Sequence, residues 1–228
     1  MPVKTRNMDR IKDFKNGLDM LPNFLRERYF NQDYTECEVG EGLAFDEAEL
    51  YKRLLQYRIS KYLKDKNGSC NVLESHAGKS VGTSIYLHNE CDFVSCRKYE
   101  RDIPILSDNS YDLIDIDPFG QPYEALELAL PKLKDGGVLM VTNGEMMSVT
   151  RHMTKAQHLK TEYFGKTAWR WVKEEYIPYM KDLTGLDCQF FYAFPTTVRI
   201  VLSNTFLPNK LFDGCPNWLW WFKKYARK

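Results

Sequence analysis

The stretch SYDLIDIDPFGQPYEALELAL, residues 110–130, combines a strand, a tight turn and a helix. Residues 112–116 alternate Asp with aliphatic side chains and predict a strand. Asp117-Pro118-Phe119-Gly120 then forms a turn, and a helical pattern occupies about 122–134. Strands linked by helices build parallel sheets, and open α/β sheets bind ligands where their strands end. The turn is therefore the first candidate for a functional site.

The same alternation of strands and helices extends on both sides of this stretch. Strands are predicted at about 70–75, 92–96, 112–116 and 137–142, and helices at about 81–89, 122–134 and, with a break, 154–183. Upstream, FDEAELYKRLLQYRISKYLKDKNG predicts a helix that Asp46 caps and Asn67-Gly68 ends. Downstream, CQFFYAF and TTVRIVLS are β-rich and too close for a crossover helix, so they predict an antiparallel pair. The pattern predicts an α/β fold, a mostly parallel sheet with a terminal antiparallel strand pair and helices on both faces.

Length and composition describe an ordinary globular chain. Its 228 residues suffice for one large domain that folds without metal ions or disulfides. Hydrophobic residues make up 43% and charged residues 28%, and no apolar run of about 18 residues predicts a membrane span. The polar N-terminus lacks the apolar core of a secretory signal, which predicts a cytoplasmic protein with reduced cysteines. No CxxC pair occurs among the six cysteines, so no metal site is expected.

Charge is unevenly distributed along the chain. Residues 151–228 hold 13 Lys and Arg against 6 Asp and Glu, whereas residues 1–150 hold 19 against 25. A basic C-terminal third predicts a polyanionic partner, although scattered solvated lysines give the same count. The end of the chain, CPNWLWWFKKYARK, mixes tryptophans with cations. Such a tail can bind nucleic acid or a membrane surface, but packing of its aromatic side chains on the core is favoured.

A second loop, VLESHAGKSVGTS at residues 72–84, has two interpretations. A phosphate-binding P-loop that ends in Gly78-Lys79-Ser80 requires its first Gly at position 73, where the chain has Leu73 within an apolar run. The loop instead resembles the E/D-x-x-x-G-x-G loop of class I S-adenosylmethionine-dependent methyltransferases, with Ser80 in place of the second Gly. This resemblance implies that the cofactor is bound by Glu74, His76, Ala77, Gly78 and Gly82.

The Asp-Pro-Phe-Gly turn carries the more specific resemblance. Amino-methyltransferases of nucleic-acid bases have a D/N-P-P-Y/F-type tetrapeptide at this place, and DIDPFGxP, followed by a helix and GGVLMVT, resembles the tRNA guanine-26 N2-dimethyltransferase family. The resemblance implies the Rossmann-like class I methyltransferase fold and methyl transfer to an exocyclic amino group of a base. Asp117 would accept a hydrogen bond from that amino group, Pro118 would offer its carbonyl and Phe119 would stack on the base, with Gly120 completing the motif.

The remaining cofactor contacts depart from the pattern of the class. These enzymes usually have an acid at the end of the second strand, which binds the ribose hydroxyls. Here that strand ends at Cys96, and Glu100 is the acid one turn later, so these two are the candidates. Asp108, in a segment interpreted as a minimal third strand, is the candidate near the adenine, or alternatively a surface acid. Gln121 replaces the Ser of the family. Members of the family carry a C-terminal RNA-binding extension, and the chain is expected to be too short to contain it.

Substrate contacts are predicted after the strand at 137–142. Arg151 and Lys155 follow it and can neutralise phosphates. RNA, with a tRNA-like guanine N2 target, is the preferred substrate. DNA adenine N6 or cytosine N4, a non-catalytic nucleic-acid-binding fold and a P-loop hydrolase stay open as alternatives. The predicted units are an N-terminal extension (1–45), a methyltransferase domain (46–205) and a tail (206–228) that packs on it.

Overall fold

Residues 12, 14–29, 41–76, 81–194 and 196–215 are described by the computed structural model of the chain. A helix covers residues 14–19 (α1). The later helices are α2 (Asn23–Tyr29), α3 (Glu41–Asn67), α4 (Val81–His88), α5 (Tyr99–Asp102), α6 (Tyr123–Ala129), α7 (Glu145–Thr150), α8 (Ala168–Trp171) and α9 (Ile177–Thr184). One π-helical turn, Val172–Tyr176, joins the last two, and short 3-10 turns cover Leu130–Lys132, Thr154–Ala156, Gly165–Thr167 and Asn209–Leu211.

Six strands form one sheet. They are β1 (Asn71–Ser75), β2 (Asp92–Cys96), β3 (Tyr111–Ile116), β4 (Leu133–Asn143), β5 (Cys188–Ala193) and β6 (Val198–Leu202). The strand order is β2-β1-β3-β4-β6-β5, with β1 to β4 parallel and β6 antiparallel to both of its neighbours. This arrangement confirms the predicted mostly parallel α/β sheet with a terminal antiparallel pair.

The strand register brings three loops to one edge of the sheet. Ser75, the last residue of β1, is paired with Cys96 of β2 and with Ile116 of β3, and Ile116 is paired with Val141 of β4. The segments that follow β1, β2 and β3 therefore begin at the same height. β3 lies near the centre of the sheet and is buried at every position, as its apolar run predicts.

Helix α3 covers the sheet and is the longest helix of the described chain. Its apolar stripe packs into the core, with Leu50, Leu54, Ile59 and Leu63 buried. The helix begins at Glu41, so Asp46 lies inside it and does not cap it. The predicted domain boundary at residue 46 also falls within α3. Gly68 ends the helix with a φ of 75°, a conformation that glycine adopts without strain.

Two segments differ from their predicted structure. Residues 103–108 form turns and no strand, so the proposed third strand is wrong and β2 lies at the edge of the sheet. The helix predicted to reach residue 134 ends at Ala129, since Pro131 lies in the 3-10 turn that leads into β4. No helix of the described ranges is long and apolar enough to cross a membrane.

Candidate active site

The Asp-Pro-Phe-Gly turn follows β3 directly and is held by the end of β4. The backbone N–H of Gly144 donates to the carbonyl of Gly120 at 2.9 Å. A Cβ on Gly144 would lie 3.2 Å from that carbonyl oxygen and 3.3 Å from the carbonyl oxygen of Phe119, so only glycine fits this contact without a shift. The Phe119 ring itself is fully exposed. The turn thus presents an aromatic face to solvent from a fixed backbone.

Asp117 is held as a carboxylate by a lysine of α3. Nζ of Lys52 lies 2.8 Å from Oδ2 of Asp117 and 2.7 Å from Oε2 of Glu49. Burial opposes the charge of Asp117, but the nearby Lys52 ammonium and Arg199 guanidinium outweigh it and hold the pKa of this carboxyl below its usual range. Asp117 is therefore ionised at neutral pH and can accept hydrogen bonds.

Asp115, two residues earlier on the same face of β3, has a structural role. It is fully buried and accepts hydrogen bonds from Gln56 (2.5 Å), the Tyr86 hydroxyl (2.7 Å) and Arg199 Nη2 (2.8 Å). The Nη1 atom of Arg199 donates in turn to Thr142 at 2.5 Å. Both members of this ion pair have no exposed side-chain surface. A buried carboxylate with this many donors is stable only while all of them remain in place.

Helix α3 contacts both aspartates because its spacing fits that of β3. Lys52 and Gln56 are four helical residues apart, a rise of about 6 Å. Asp117 and Asp115 are two extended residues apart, about 6.6 Å. The helix runs antiparallel to the strand and brings one polar side chain to each carboxylate. Neither α3 residue was predicted from the sequence, although two polar side chains on the core-facing side of an amphipathic helix are a usable signal.

Glu74, at the end of β1, lies beneath the start of α4. It is buried and accepts hydrogen bonds from the hydroxyls of Thr83 (2.9 Å) and Ser95 (2.8 Å). Burial, together with the neighbouring Asp115, raises the pKa of the Glu74 carboxyl. Its contacts therefore connect β1, β2 and α4, and cofactor binding by Glu74 stays a prediction.

Gly82→Ala is expected to destabilise the protein through a clash at the start of α4. An added Cβ would lie 2.0 Å from Oε1 of Glu74, so the carboxylate must move away from Thr83 and Ser95. Overpacking of this kind costs about 1–3 kcal/mol. Urea unfolding measures the loss, with Gly120→Ala as the control because a Cβ there meets nothing within 4 Å. Equal stability of the two variants would contradict the expectation.

His76 and Glu100 lie at the same edge of the sheet as the turn. The backbone of His76 has a φ of 62°, and its ring centroid is 4.8 Å from that of Tyr99. Burial lowers the pKa of His76, while the charges of Asp117 and Glu100 act in the opposite direction. Both carboxylates are thus close to this imidazole. Glu100 is exposed on α5 and stays a candidate for the ribose hydroxyls.

Two of the predicted cofactor residues, Cys96 and Asp108, are not accessible at this edge of the sheet. The Cys96 thiol is completely buried, and burial with nearby Asp102 raises its pKa to about 11, so it is a core residue. Asp108 precedes β3, at the opposite edge, where Lys132 Nζ lies 2.5 Å from its carboxylate. Asp108 is 69% exposed, and the segment that contains it forms no third strand. Ala77 and Gly78 lie outside the described residues.

The predicted substrate residues follow β4 and α7. Arg151 and Lys155 are both exposed. Gln121, next to the Asp-Pro-Phe-Gly turn, donates 3.2 Å hydrogen bonds to the carbonyl of Ala156 and to Oε1 of Glu145. This residue therefore connects the turn to the segment that carries the two cations. The tryptophan-rich tail from residue 216 onward lies outside the described residues.

A P-loop and a metal site both lack support in the described part of the chain. Leu73 lies within β1 and is fully buried, so the position of the first P-loop glycine is part of a strand. Among the described residues, no group of three or more His, Cys, Asp or Glu side chains could hold a metal ion.

Comparisons with solved structures return methyltransferases of low similarity. Trm1 from Pyrococcus horikoshii, solved with S-adenosyl-L-methionine, is 15% identical with a TM-score of 0.47, over 71% of this chain and 57% of that one. The plantazolicin methyltransferase BpumL is 12% identical (TM-score 0.43; 88% and 99% covered). A putative caffeoyl-CoA O-methyltransferase from Staphylococcus aureus is 14% identical (TM-score 0.42; 82% and 100% covered). The chain thus spans 57% of the length of that Trm1. A search of curated protein sequences finds no match.

A family match covers the region that contains the turn. Residues 58–167 match the model of the family described as N2,N2-dimethylguanosine tRNA methyltransferase, just under half of the chain. The segment includes β1 to β4 and the Asp-Pro-Phe-Gly turn. The chain therefore carries, on its mostly parallel α/β sheet, a segment similar to the N2,N2-dimethylguanosine tRNA methyltransferase family, which confirms the resemblance predicted from its sequence.

Proposed function

We propose that this protein is an S-adenosylmethionine-dependent N-methyltransferase that acts on the exocyclic amino group of a base in RNA, with guanine N2 of tRNA as the preferred target. The observation that carries the proposal is the ionised Asp117 beside the fully exposed Phe119, where β3 ends. An acceptor for an amino group and a ring for stacking are the two groups that this chemistry needs. The family match over residues 58–167 supports the class of enzyme and its cofactor.

The chemistry assigns one task to each residue of the turn. Asp117 accepts a hydrogen bond from the target amino group, the Pro118 carbonyl accepts a second, and Phe119 stacks on the base, so that the nitrogen lone pair is directed at the methyl carbon. S-adenosylmethionine supplies a methyl group on a sulfonium leaving group. With the cofactor bound, the new nitrogen–carbon bond would form as the carbon–sulfur bond breaks. The electron pair of the broken bond would stay on sulfur, and the amino proton would leave to Asp117 or to water.

The surroundings of the turn supply binding contacts. The cofactor would lie above the ends of β1 and β2, near His76 and Glu100, where Glu74 connects β1 to Ser95 of β2 and to Thr83 of α4. The exposed Arg151 and Lys155 would neutralise phosphates of the RNA backbone on the other side of the turn. A cytoplasmic location, where such an RNA substrate occurs, stays a prediction.

Methyl transfer to defined nucleic acids tests the proposal. The purified protein is incubated with labelled S-adenosylmethionine and with tRNA, ribosomal RNA or DNA, and the methylated nucleosides are identified by mass spectrometry. We expect N2-methylguanosine or N2,N2-dimethylguanosine from tRNA. Labelled methyl groups on DNA adenine or cytosine would show that the substrate is DNA and not RNA. Absence of transfer to every pool would contradict the proposal.

Phe119→Ala is expected to reduce kcat/KM for RNA by about tenfold to a hundredfold, since stacking of one base on an aromatic ring contributes about 1–3 kcal/mol. Because the ring is fully exposed, the protein should keep its stability and its affinity for S-adenosylhomocysteine. Phe206→Ala is the matched control, as this ring is 73% exposed and follows β6 at the opposite edge of the sheet. Equal loss of activity in both variants would mean that Phe119 does not stack on the base.

A further inference from the structure

Lys52 contacts the motif aspartate from outside the segment that matches the family. It lies on α3, whereas the match begins at residue 58. Its side chain is only 16% exposed and lies between Glu49 and Asp117. An ammonium in this position loses much of its hydration, so the two carboxylates are what keep it there.

The two oxygens of Asp117 have different surroundings. Oδ2 accepts the hydrogen bond from Lys52 at 2.8 Å, while Oδ1 accepts none from any side chain in the described part of the molecule. Among the described residues, one carboxylate oxygen therefore has a side-chain donor and the other has none. Rotation of the carboxylate about its Cβ–Cγ bond would break the contact with Lys52.

We infer that Lys52 is a positioning residue for methyl transfer: it fixes Oδ2 of Asp117 so that Oδ1 is oriented toward the amino group of the target base. This inference rests on the proposed function, because it assigns Asp117 as the acceptor of that amino group. Lys52 itself touches neither base nor cofactor in this arrangement. Its contribution is to the orientation and the charge state of a neighbouring group.

Other charged groups face Asp117 but none replaces this contact. Those that interact electrostatically with it are Lys52 and Arg53 on α3, Arg199 on β6, Tyr192 on β5 and His76 after β1. Glu49 on α3 pairs with the same Lys52 ammonium. Arg199 already donates to Asp115 and Thr142, and Arg53 donates to Glu49 and Gln56. Loss of Lys52 therefore leaves Asp117 without a directly bonded cation among the described residues.

Lys52→Met tests the inference by steady-state kinetics. We expect kcat to fall by about tenfold to a hundredfold, a size typical of misplaced reacting groups, with a smaller change of KM for RNA. Lys52→Arg keeps the cation and should recover part of the rate. Lys61→Met is the matched control on α3, because Lys61 is 52% exposed and pairs with Asp65. If the wild-type enzyme is active and Lys52→Met has an unchanged kcat, the inference about Lys52 is wrong, while the proposed function is unaffected.

The pH dependence separates positioning from a general effect on folding. A nearby ammonium lowers the pKa of Asp117, so its removal raises that pKa and moves the acid limb of the kcat/KM profile to higher pH. The carboxyl pKa can also be followed by ¹³C NMR of labelled aspartate without any substrate. An unchanged Asp117 pKa in Lys52→Met and in Lys52→Gln would contradict the inference. An inactive wild-type protein with the expected NMR shift would instead contradict the proposed function.

Discussion

Asp117→Asn is expected to lower the rate of methyl transfer by about 10²–10⁴-fold, while affinity for S-adenosylhomocysteine changes little. Lys52 donates to one oxygen of residue 117, so an amide there is expected to turn its oxygen to Lys52. The NH₂ of that amide would then face the NH₂ of the base, and two donors repel each other. Single-turnover methyl transfer measures the loss.

The control for this variant is Asp135→Asn. Asp135 is exposed and lies toward the amino end of β4, away from the turn, so its amide should leave the rate unchanged. The double variant Asp117→Asn with Lys52→Met is expected to exceed Asp117→Asn in activity, because the amide oxygen is then free to face the base. Loss of cofactor binding along with activity in Asp117→Asn would show that Asp117 has a different role.

Asp115→Asn is expected to destabilise the protein by about 3–5 kcal/mol, since it leaves the Arg199 guanidinium without its counter-charge. Both side chains have no exposed surface, and burial opposes the charge of Arg199 while Asp115 raises its pKa. The midpoint of urea unfolding should fall with little change in slope. Circular dichroism at increasing urea concentration measures this loss.

Two further variants test the origin of the loss. Glu174→Gln breaks the exposed ion pair with Arg170 and should leave the unfolding midpoint almost unchanged. Combining Asp115→Leu with Arg199→Met removes both buried charges and should recover part of the stability lost in the single variant. A midpoint for Asp115→Asn close to that of Glu174→Gln would mean that the buried pair contributes little.

Sequence patterns predict local structure and burial here, but they do not predict partners across the fold. The strands around Leu73 and Ile114 were predicted because apolar runs between turns have few other structures. The Lys52–Asp117 contact joins residues 65 positions apart, and the Arg199–Asp115 contact joins residues 84 apart. Periodicity places each of them on a buried face and leaves the choice of partner to the packing.

The error at Asp108 has a related cause. The class has a third strand, and IPILSD is apolar enough to suggest one, but residues 103–108 only turn the chain back toward the amino end of β3. The predicted place of Asp108 depended on whether IPILSD adds a strand to the sheet, and six residues are too few to decide that from their pattern. His76 and Glu100 were placed at the proper edge because they follow β1 and β2 directly, and strand direction alone determines that edge.

The matched spacing of α3 and β3 limits how this protein can be engineered. Four side chains of the described residues donate to Asp115 and Asp117. Lys52, Gln56 and Arg199 lie outside residues 58–167, and only Tyr86 lies within them. A chimera that grafts only the family segment onto another scaffold would carry the turn without its electrostatic environment. Recombination points placed before α3 and after β6 would transfer the two aspartates together with the residues that hold them.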